Sequence, residues 1–384
     1  MCTSKEVFFQ MCEALAVLGT LQAGYTDFKF LGEESKEIFE REALIGCSIT
    51  GWVNNPDILF DRELLKEGAE LIKKVNRKVA KLIGINPAAR TTCCKPSGNA
   101  SVLLGTASGI HGEHSAKYIR NVQMDKTNKI AEVIKKLNPT MVEDSVWSNL
   151  GTDYCISFPV VSKEGSLLKS NLLGVKQLEL VKLVQESWVE YGTDESLCTD
   201  PRLRHNVSNT ITVDDWDAVE EYVFNNRYTF AGISFLPASG DKAFSQSPFT
   251  EVKEAEDILI EYGSAAMFAS GLIVDGLAAF NNNLWLACDT AMGFGETLQE
   301  DCHKHLLKND WVRRFHKFAG NYLAGNTLVA SNCLKDVYNL HKWEKINLNY
   351  SNINWSEELK SKDAIAVDTL GAVACSGGVC EITF

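Results

Sequence analysis

Residues 90–101 read Arg-Thr-Thr-Cys-Cys-Lys-Pro-Ser-Gly-Asn-Ala-Ser, a buried strand running into a loop of small residues. Thr91 and Thr92 are β-branched and suit a pleated surface. Pro96 ends the strand, because proline cannot donate a hydrogen bond to a β-ladder. We expect Ser97 to Ser101 to present backbone N–H groups that little side-chain bulk covers.

The glycine-containing loop fits two interpretations. Consecutive exposed N–H groups form a concavity that binds anions, and the side chains of Ser97, Asn99 and Ser101 can add hydrogen bonds to phosphate oxygens. The alternative is an ordinary tight turn, because short Gly/Ser loops are common after strands. The residues of the loop alone leave both interpretations open.

The strand in this stretch is one of five short runs of apolar or β-branched residues. They lie near residues 45–50, 89–94, 153–158, 209–213 and 231–236, and amphipathic patterns at 61–83, 127–138 and 174–190 separate most of them. Alternating strands and helices predict the α/β class with parallel strands. Near-continuous apolar runs are typical of a sheet covered on both faces. Five strands make either a small doubly wound sheet or half of a larger barrel.

Composition excludes several classes of function. The chain has 384 residues and a net charge of −12, which argues against a surface that tracks nucleic-acid phosphates but allows a single nucleotide. The apolar run at 263–280 contains Asp275 and is interpreted as a buried helix, so no membrane partner is expected. The 12 scattered cysteines and the lack of an N-terminal signal favour a cytoplasmic protein with reduced thiols.

Four segments in order resemble one enzyme family. They are residues 88–122, 204–212 (Arg-His-Asn-Val-Ser-Asn-Thr-Ile-Thr), 234–241 and the terminal 374–384, which contains Cys375 and Cys380. Together they resemble the catalytic chain of the adenosylcobalamin-dependent, class II ribonucleotide reductases. Four motifs in this order are far more specific than any one of them.

The resemblance implies a fold and a domain plan. The family has a ten-stranded α/β barrel made of two five-stranded halves, and this chain looks like the second half. Residues 1–250 would then be the half-barrel with the substrate-phosphate loop. Residues 251–365 would be a C-terminal helical region, and residues 366–384 a flexible tail with a redox cysteine pair.

The resemblance also implies a function. The family reduces ribonucleotides, here expected to be ribonucleoside triphosphates, to deoxyribonucleotides by a thiyl-radical mechanism with adenosylcobalamin as the cofactor. Its substrate-phosphate loop matches this sequence position by position at Pro96, Ser97, Gly98, Asn99, Ala100 and Ser101. In the family, the terminal cysteines, here Cys375 and Cys380, reduce the active-site disulfide and are themselves reduced by thioredoxin or a similar dithiol donor.

One departure from the family pattern limits this reading. The family's finger loop carries an Asn-Pro-Cys-Gly-Glu motif whose cysteine becomes the radical, and that motif is absent from this sequence. We therefore expect an N-terminal reductase chain to supply it. The alternatives are a half-barrel that binds nucleotide or a partner without catalysis, and a diphosphate reductase with a metal-radical partner. No tyrosine pair occurs at Val329–Leu334, which favours the cobalamin route over that partner.

We interpret several other cysteines and histidines as structural residues. Cys302 and His305 lie one helical turn apart, but no second pair with zinc spacing follows them. Cys93 and Cys94 are neighbours in a strand and should point to opposite faces. His111, His114 and His205 lie within the matching segments and are expected to form local hydrogen bonds.

Overall fold

The computed structural model describes residues 2–200, 202–238, 246–262 and 327–359. Its helices are α1 (Lys5–Ala23), α2 (Glu33–Glu42), α3 (Pro56–Leu59), α4 (Arg62–Ile83), α5 (Asn99–Leu104), α6 (Lys129–Leu137), α7 (Val175–Val184), α8 (Trp216–Asn225), α9 (Ala255–Tyr262), α10 (Thr327–Asn349) and α11 (Trp355–Glu358). Its strands are β1 (Cys47–Ser48), β2 (Thr92–Cys93), β3 (Lys117–Asp125), β4 (Val142–Asp144), β5 (Asp153–Val161), β6 (Thr210–Val213), β7 (Ser234–Pro237) and β8 (Phe249–Glu251).

The chain divides into two compact units. The first comprises residues 1–116 and 162–241, and the second comprises 117–161 and 242–384. This division groups residues differently from the domains expected from the sequence, whose boundaries at 250 and 365 stay predictions.

Helix α4 shows how the sequence sets the elements of the first unit. The Asp61 side chain accepts hydrogen bonds from the N–H groups of Glu63 and Leu64, and Gly84 ends the helix in the left-handed conformation, at φ 77°. The apolar face of α4 is buried at Leu64, Leu65, Gly68 and Ile72. Leu82 lies in the last turn, and 76% of its surface is exposed.

Four of the five predicted strands, β1, β2, β6 and β7, lie in the first unit and pair in parallel. We call these four strands the parallel run. Strand β1 pairs with β2 in register Cys47↔Thr92, and β6 pairs with β7. A parallel bridge between Cys94 and Val207 joins the two pairs. Crossover helices connect parallel strands, and α4 and α7 lie between these strands in the chain. The mixed α/β class is confirmed.

The fifth predicted strand does not join this run, which corrects the expectation of five parallel strands. Strand β5 instead pairs antiparallel with β3 over the whole of 117–125, in the second unit. The reason is local, because α6 leads into β4 rather than β5. A loop whose turn residue Gly151 has φ 65° connects β4 to β5, and so short a connection joins antiparallel neighbours.

The core of the first unit lies between its strands and helices. Trp52 and Trp188 are fully buried there with Leu65, Ile72 and Ile211. Trp188 belongs to a π-helical turn, Gln185–Val189, that extends α7 as far as the predicted helix at 174–190. Such turns occur often at functional sites, and this one packs against β2 through the indole N–H, which donates to the Cys93 carbonyl at 3.1 Å.

The second unit has its own sheet and core. The sheet order is β4-β5-β3-β8, all antiparallel. Ala131, Ile134, Met141, Ile156 and Ile346 form the core, so α6 and α10 cover the sheet. Across the described ranges, we find no helix with both the length and the apolar character needed to cross a membrane.

Candidate functional site

The residues of the predicted phosphate loop lie at the carboxyl end of β2. The pairing of β2 continues one step beyond the strand, since Cys94 N–H donates to the Asn206 carbonyl at 3.2 Å and Ser208 N–H donates to the Cys94 carbonyl at 2.8 Å. Lys95 and Pro96 then leave the sheet and are exposed. Ligands of open α/β sheets bind outside the carboxyl ends of the strands, so the loop has the position that its proposed role requires.

The predicted loop is shorter than expected because a helix begins inside it. Gly98 is the N-cap residue of α5, and Gly105 ends that helix at φ 62°. Helix geometry leaves the first N–H groups without intrahelical acceptors. That of Ser101 is taken by the Ser97 hydroxyl at 3.1 Å. Within the described part of the chain, the backbone N–H groups of Asn99 and Ala100 donate no hydrogen bond outside the helix. Gly98 and Ala100 are exposed.

The two serines of the loop close the turn. Ser101 is buried, and its hydroxyl donates to the carbonyl groups of Ser97 and Gly98, the latter at 3.1 Å. The Ser97 N–H donates to the Ser108 hydroxyl at 2.9 Å. The expected contacts of these hydroxyls with phosphate stay a prediction, because here both serve the loop itself. The side chain of Asn99 lies outside the described part of the structure.

Lys95 supplies a positive charge beside the loop. Its backbone N–H donates to the Ser48 hydroxyl at 2.9 Å, which ties the loop to the end of β1. Its ammonium donates to Asn206 Oδ1 at 2.5 Å and is exposed. The ammonium is therefore held near the end of β2 while it stays accessible to a ligand.

We name residues 105–111 the backing segment, because they support the loop from behind. The Thr50 hydroxyl donates to the Ala107 carbonyl at 2.9 Å and accepts from Gly109 N–H at 3.0 Å. Gly109 has φ 55°, and a Cβ at this position would lie 2.8 Å from the Lys95 carbonyl oxygen. Only glycine allows this close approach, which holds the loop against the backing segment.

His111 ends the backing segment with both ring nitrogens engaged. Its Nδ1 lies 3.0 Å from the Ser108 carbonyl, and its Nε2 accepts from Thr210 N–H at 3.1 Å. A carbonyl only accepts and a backbone N–H only donates, so the ring is neutral with its proton on Nδ1. Burial lowers the pKa of His111, and the nearby Lys169 adds to this effect. The local hydrogen-bonding role expected from the sequence is what the structure shows.

His205 and Gln185 hold the neighbouring segment against β2. His205 Nδ1 lies 3.0 Å from the Thr92 carbonyl and donates to it, and burial lowers the pKa of this histidine. Gln185 donates to the His205 carbonyl and accepts from Val207 N–H, both at 3.2 Å. Gln185 lies in the π-helical turn, so this turn positions the residues beside the loop. Spacing alone gave no signal for Gln185.

A buried ion pair anchors the start of β2. Arg90 Nη1 donates to Glu42 Oε2 at 2.7 Å, while Nε and Nη2 donate to the carbonyl groups of Leu203 and Asp200 respectively. Hydrogen bonds from Thr199, and then from Arg90, lower the pKa of Glu42. Arg90 therefore fixes the backbone at Asp200 and Leu203, shortly before the segment beside the loop.

The cysteines fall into two groups. Cys375, Cys380 and Cys302 lie outside the described residues, as does His305, so their predicted roles are not tested. Cys93 and Cys94 are buried free thiols, and burial raises the pKa of both. No cluster of three or more His, Cys, Asp or Glu side chains in the described part of the chain could hold a metal ion.

Curated proteins similar to this chain bear names that agree with the motif resemblance. The adenosylcobalamin-dependent ribonucleoside-triphosphate reductase of Euglena gracilis is 24% identical over 230 residues, which is 58% of this chain and 29% of that protein. A probable enzyme of the same name from Dictyostelium discoideum is 23% identical over 236 residues, 58% of this chain and 28% of that protein. The Lactobacillus acidophilus enzyme is 22% identical over 247 residues, 56% and 31% respectively.

A solved structure is also similar. It is a crystal structure of a B12-dependent, class II ribonucleotide reductase, 19% identical, with a TM-score of 0.48 over 58% of this chain and 33% of that one. No protein-family model matches the chain. The resemblance to the adenosylcobalamin-dependent ribonucleotide reductases is confirmed by the named relatives. The matched region spans less than a third of the length of these relatives.

Proposed function

We propose that this chain is a component of an adenosylcobalamin-dependent ribonucleotide reductase, binding the substrate phosphates and carrying the reducing tail. The supporting facts are the order of the motifs and the names of the relatives. The proposed reaction replaces the 2′-hydroxyl of a ribonucleoside triphosphate with hydrogen. The hydroxyl leaves as water, and a dithiol supplies the two electrons and becomes a disulfide.

The observation that carries the proposal is the position of the loop Pro96 to Ser101, which follows the carboxyl end of β2. The N–H groups of Asn99 and Ala100 precede the first intrahelical hydrogen bond, and the Lys95 side chain is exposed. Backbone N–H groups together with a lysine form a recurrent phosphate-binding arrangement. In this proposal Pro96 to Ser101 cradle the phosphates, with the serine hydroxyls keeping the turn in shape.

The parallel run β1, β2, β6 and β7 supports the proposal of a half-barrel. A run of parallel strands leaves an unpaired edge on each side, and such edges attract further strands. We propose that an N-terminal reductase chain completes the ten-stranded barrel. That chain would carry the Asn-Pro-Cys-Gly-Glu finger loop and hence the thiyl radical that removes hydrogen from the substrate.

Adenosylcobalamin enters the proposal through the names of the relatives. When bound, it would supply the radical chemistry that the finger-loop cysteine of the N-terminal chain needs. No step is assigned to residues of this chain through it.

The proposed tail carries out thiol–disulfide exchange. One thiolate of the pair Cys375 and Cys380 attacks the active-site disulfide, and one active-site sulfur leaves as thiolate. The second tail cysteine resolves the mixed disulfide, so the active-site dithiol is restored and the tail becomes a disulfide. Thioredoxin or a similar dithiol donor then reduces the tail by the same exchange.

Substitution of Ala100 tests the phosphate site. An aspartate at this exposed position favours the helix electrostatically, since it lies in the first turn, but it repels phosphate. We expect Ala100→Asp to weaken ribonucleoside-triphosphate binding about tenfold, measured by calorimetry on the full chain. The matched control is Ala100→Asn, which has nearly the same volume and no charge. Equal affinity of both variants and the wild type contradicts the phosphate site.

Complementation tests the reaction. Mixing this chain with an N-terminal reductase chain, adenosylcobalamin and a dithiol should yield deoxynucleotide. Tight nucleotide binding without turnover in every combination favours the non-catalytic half-barrel. Turnover that needs a metal-radical partner instead of cobalamin, with diphosphate as substrate, favours the diphosphate reductase.

A further inference from the structure

Ser108 connects the phosphate loop to His111 through hydrogen bonds. The Ser108 hydroxyl accepts from Ser97 N–H at 2.9 Å, and the Ser108 carbonyl accepts from His111 Nδ1–H at 3.0 Å. His111 Nε2 in turn accepts from Thr210 N–H at 3.1 Å. A continuous series of hydrogen bonds therefore runs from the start of β6, through the imidazole and Ser108, to the residue before Gly98.

This series requires one form of the imidazole. Thr210 offers a proton to Nε2, and Ser108 offers an oxygen to Nδ1, so the tautomer with its proton on Nε2 satisfies neither partner. The imidazolium places a proton on Nε2 against the Thr210 N–H. Thr50 and Thr210 on the neighbouring strand ends are neutral, and Lys169 is the charged group that acts on the ring among the described residues. Its positive charge opposes protonation.

The position of Ser97 determines where the open N–H groups lie. Its hydroxyl accepts from Ser101 N–H at 3.1 Å, and its own N–H is held by Ser108. Asn99 and Ala100 lie between these two fixed points. A displacement of Ser108 therefore shifts the first turn of α5 relative to the end of β2.

We propose that His111 is a positioning residue for the phosphate loop, acting through Ser108 in its neutral Nδ1–H form. This inference deepens the proposed function and rests on it, because the loop that His111 positions is the proposed phosphate cradle. The hydrogen bonds of the His111 ring are with Ser108 and Thr210, which lie outside the loop. His111 determines the orientation in which the loop presents its N–H groups.

Replacing His111 by asparagine or by glutamine tests the two hydrogen bonds of the imidazole separately. An asparagine places its amide near the Nδ1 position and can donate to the Ser108 carbonyl, whereas a glutamine reaches the Nε2 position and can accept from Thr210 N–H. Under the proposal, His111→Asn keeps the loop in place and His111→Gln does not. A merely structural role for His111 predicts similar behaviour for both variants.

Amide hydrogen exchange of Ser97 in the full chain reports on the loop directly. We expect His111→Gln to speed exchange at Ser97 about tenfold and to weaken triphosphate binding by a similar factor, the size expected for a lost hydrogen bond. His111→Asn should stay within about threefold of the wild type in both measurements. The amide of Ile72, buried in α4, is the control for global unfolding. Equal effects of Asn and Gln, or faster exchange at Ile72 that matches Ser97, overturn the proposal.

The wild-type protein provides a test that needs no variant. Nitrogen-15 NMR of the imidazole should show the Nδ1–H tautomer of His111 at neutral pH, and the Nε2–H tautomer or an imidazolium overturns the proposal. These measurements do not depend on nucleotide. If the wild type binds no triphosphate, the proposed function fails, while Ser97 exchange and the tautomer still decide whether His111 positions the loop.

Discussion

Gly192 lies directly against the side chain of Thr92, so closely that a Cβ on the glycine would overlap Thr92 Oγ1. The Thr92 hydroxyl donates to the Trp188 carbonyl at 2.6 Å, and Thr91 bonds the Gly192 carbonyl through both its N–H and its hydroxyl. Gly192, three residues beyond the π-helical turn, and strand β2 therefore meet without space for one methyl group.

Substituting Gly192 should consequently destabilise the first unit. Gly192→Ala forces Thr92 or the π-helical turn to move, and we expect a loss of about 2–3 kcal/mol in the free energy of unfolding, typical of overpacking. Urea denaturation measures this loss. Gly232→Ala is the matched control, since a Cβ there meets nothing within 4 Å. Similar losses in the two variants contradict the tight contact.

Two left-handed glycines beside the phosphate loop should differ in their effect on nucleotide binding. Gly105 and Gly109 both have positive φ, but only a Cβ at Gly109 would press on the Lys95 carbonyl oxygen, at 2.8 Å. Both Gly→Ala variants should lose about 1–2 kcal/mol of stability from backbone strain. Gly109→Ala should also displace the loop and weaken triphosphate binding about tenfold relative to Gly105→Ala. Calorimetry on both variants checks this, and equal affinities argue against the support of the loop by Gly109.

Stability should fall as the pH drops below neutral. Burial lowers the pKa of His111 and His205 in the folded chain. Between the unfolded value of about 6.5 and the lower folded value, the unfolded state binds more protons, so the free energy of unfolding decreases with falling pH. Urea unfolding between about pH 7.5 and 5.5 measures this slope. His205→Asn keeps a donor for the Thr92 carbonyl and should flatten the slope, whereas an unchanged slope means that His205 does not contribute.

The cysteine pair at the end of the chain should be needed for one reductant only. With a complementing N-terminal chain and adenosylcobalamin, replacing Cys375 and Cys380 by serine should abolish turnover supported by thioredoxin. Turnover supported by a small dithiol should persist, because a small reductant reaches the active-site disulfide without the tail. Deoxynucleotide formation with each reductant is the measurement. Thioredoxin-supported turnover in the double variant excludes the proposed role of the tail.

The prediction from sequence was most accurate for helices whose capping residues set their ends locally. Asp61 and Gly84 delimit α4 within one residue of the expected range, because a cap and a left-handed glycine act locally. The start of α5 was missed because Gly98 suggested a loop, although Ser97 is placed to cap Ser101. Strand β3 was also missed. The polar residues Arg120, Asn121 and Gln123 hid its pattern, and its partner β5 was then assigned to the parallel sheet.

The site was predictable only in part, for a related reason. The identity of the loop could be inferred from a contiguous stretch and a resemblance. The groups that hold it come from distant parts of the chain, since Lys95 meets Asn206 and Thr92 meets His205. No spacing rule connects residues more than a hundred positions apart, and only the parallel run of strands brings them together. No sequence pattern indicated that Gln185 contributes to the site.

Residues 117–161 interrupt the first unit in sequence. Ala116 and Ser162, which flank this interruption, lie next to each other in space. Ser162 N–H donates to the Ala116 carbonyl at 2.9 Å, and the Ser162 hydroxyl donates to the Ser115 carbonyl at 2.7 Å. For the first unit, the interruption is thus a loop that is already closed at its base. The entropic cost of such a loop grows only with the logarithm of its length. Segments of very different size can therefore occupy this position while the strand ends that form the site keep their register.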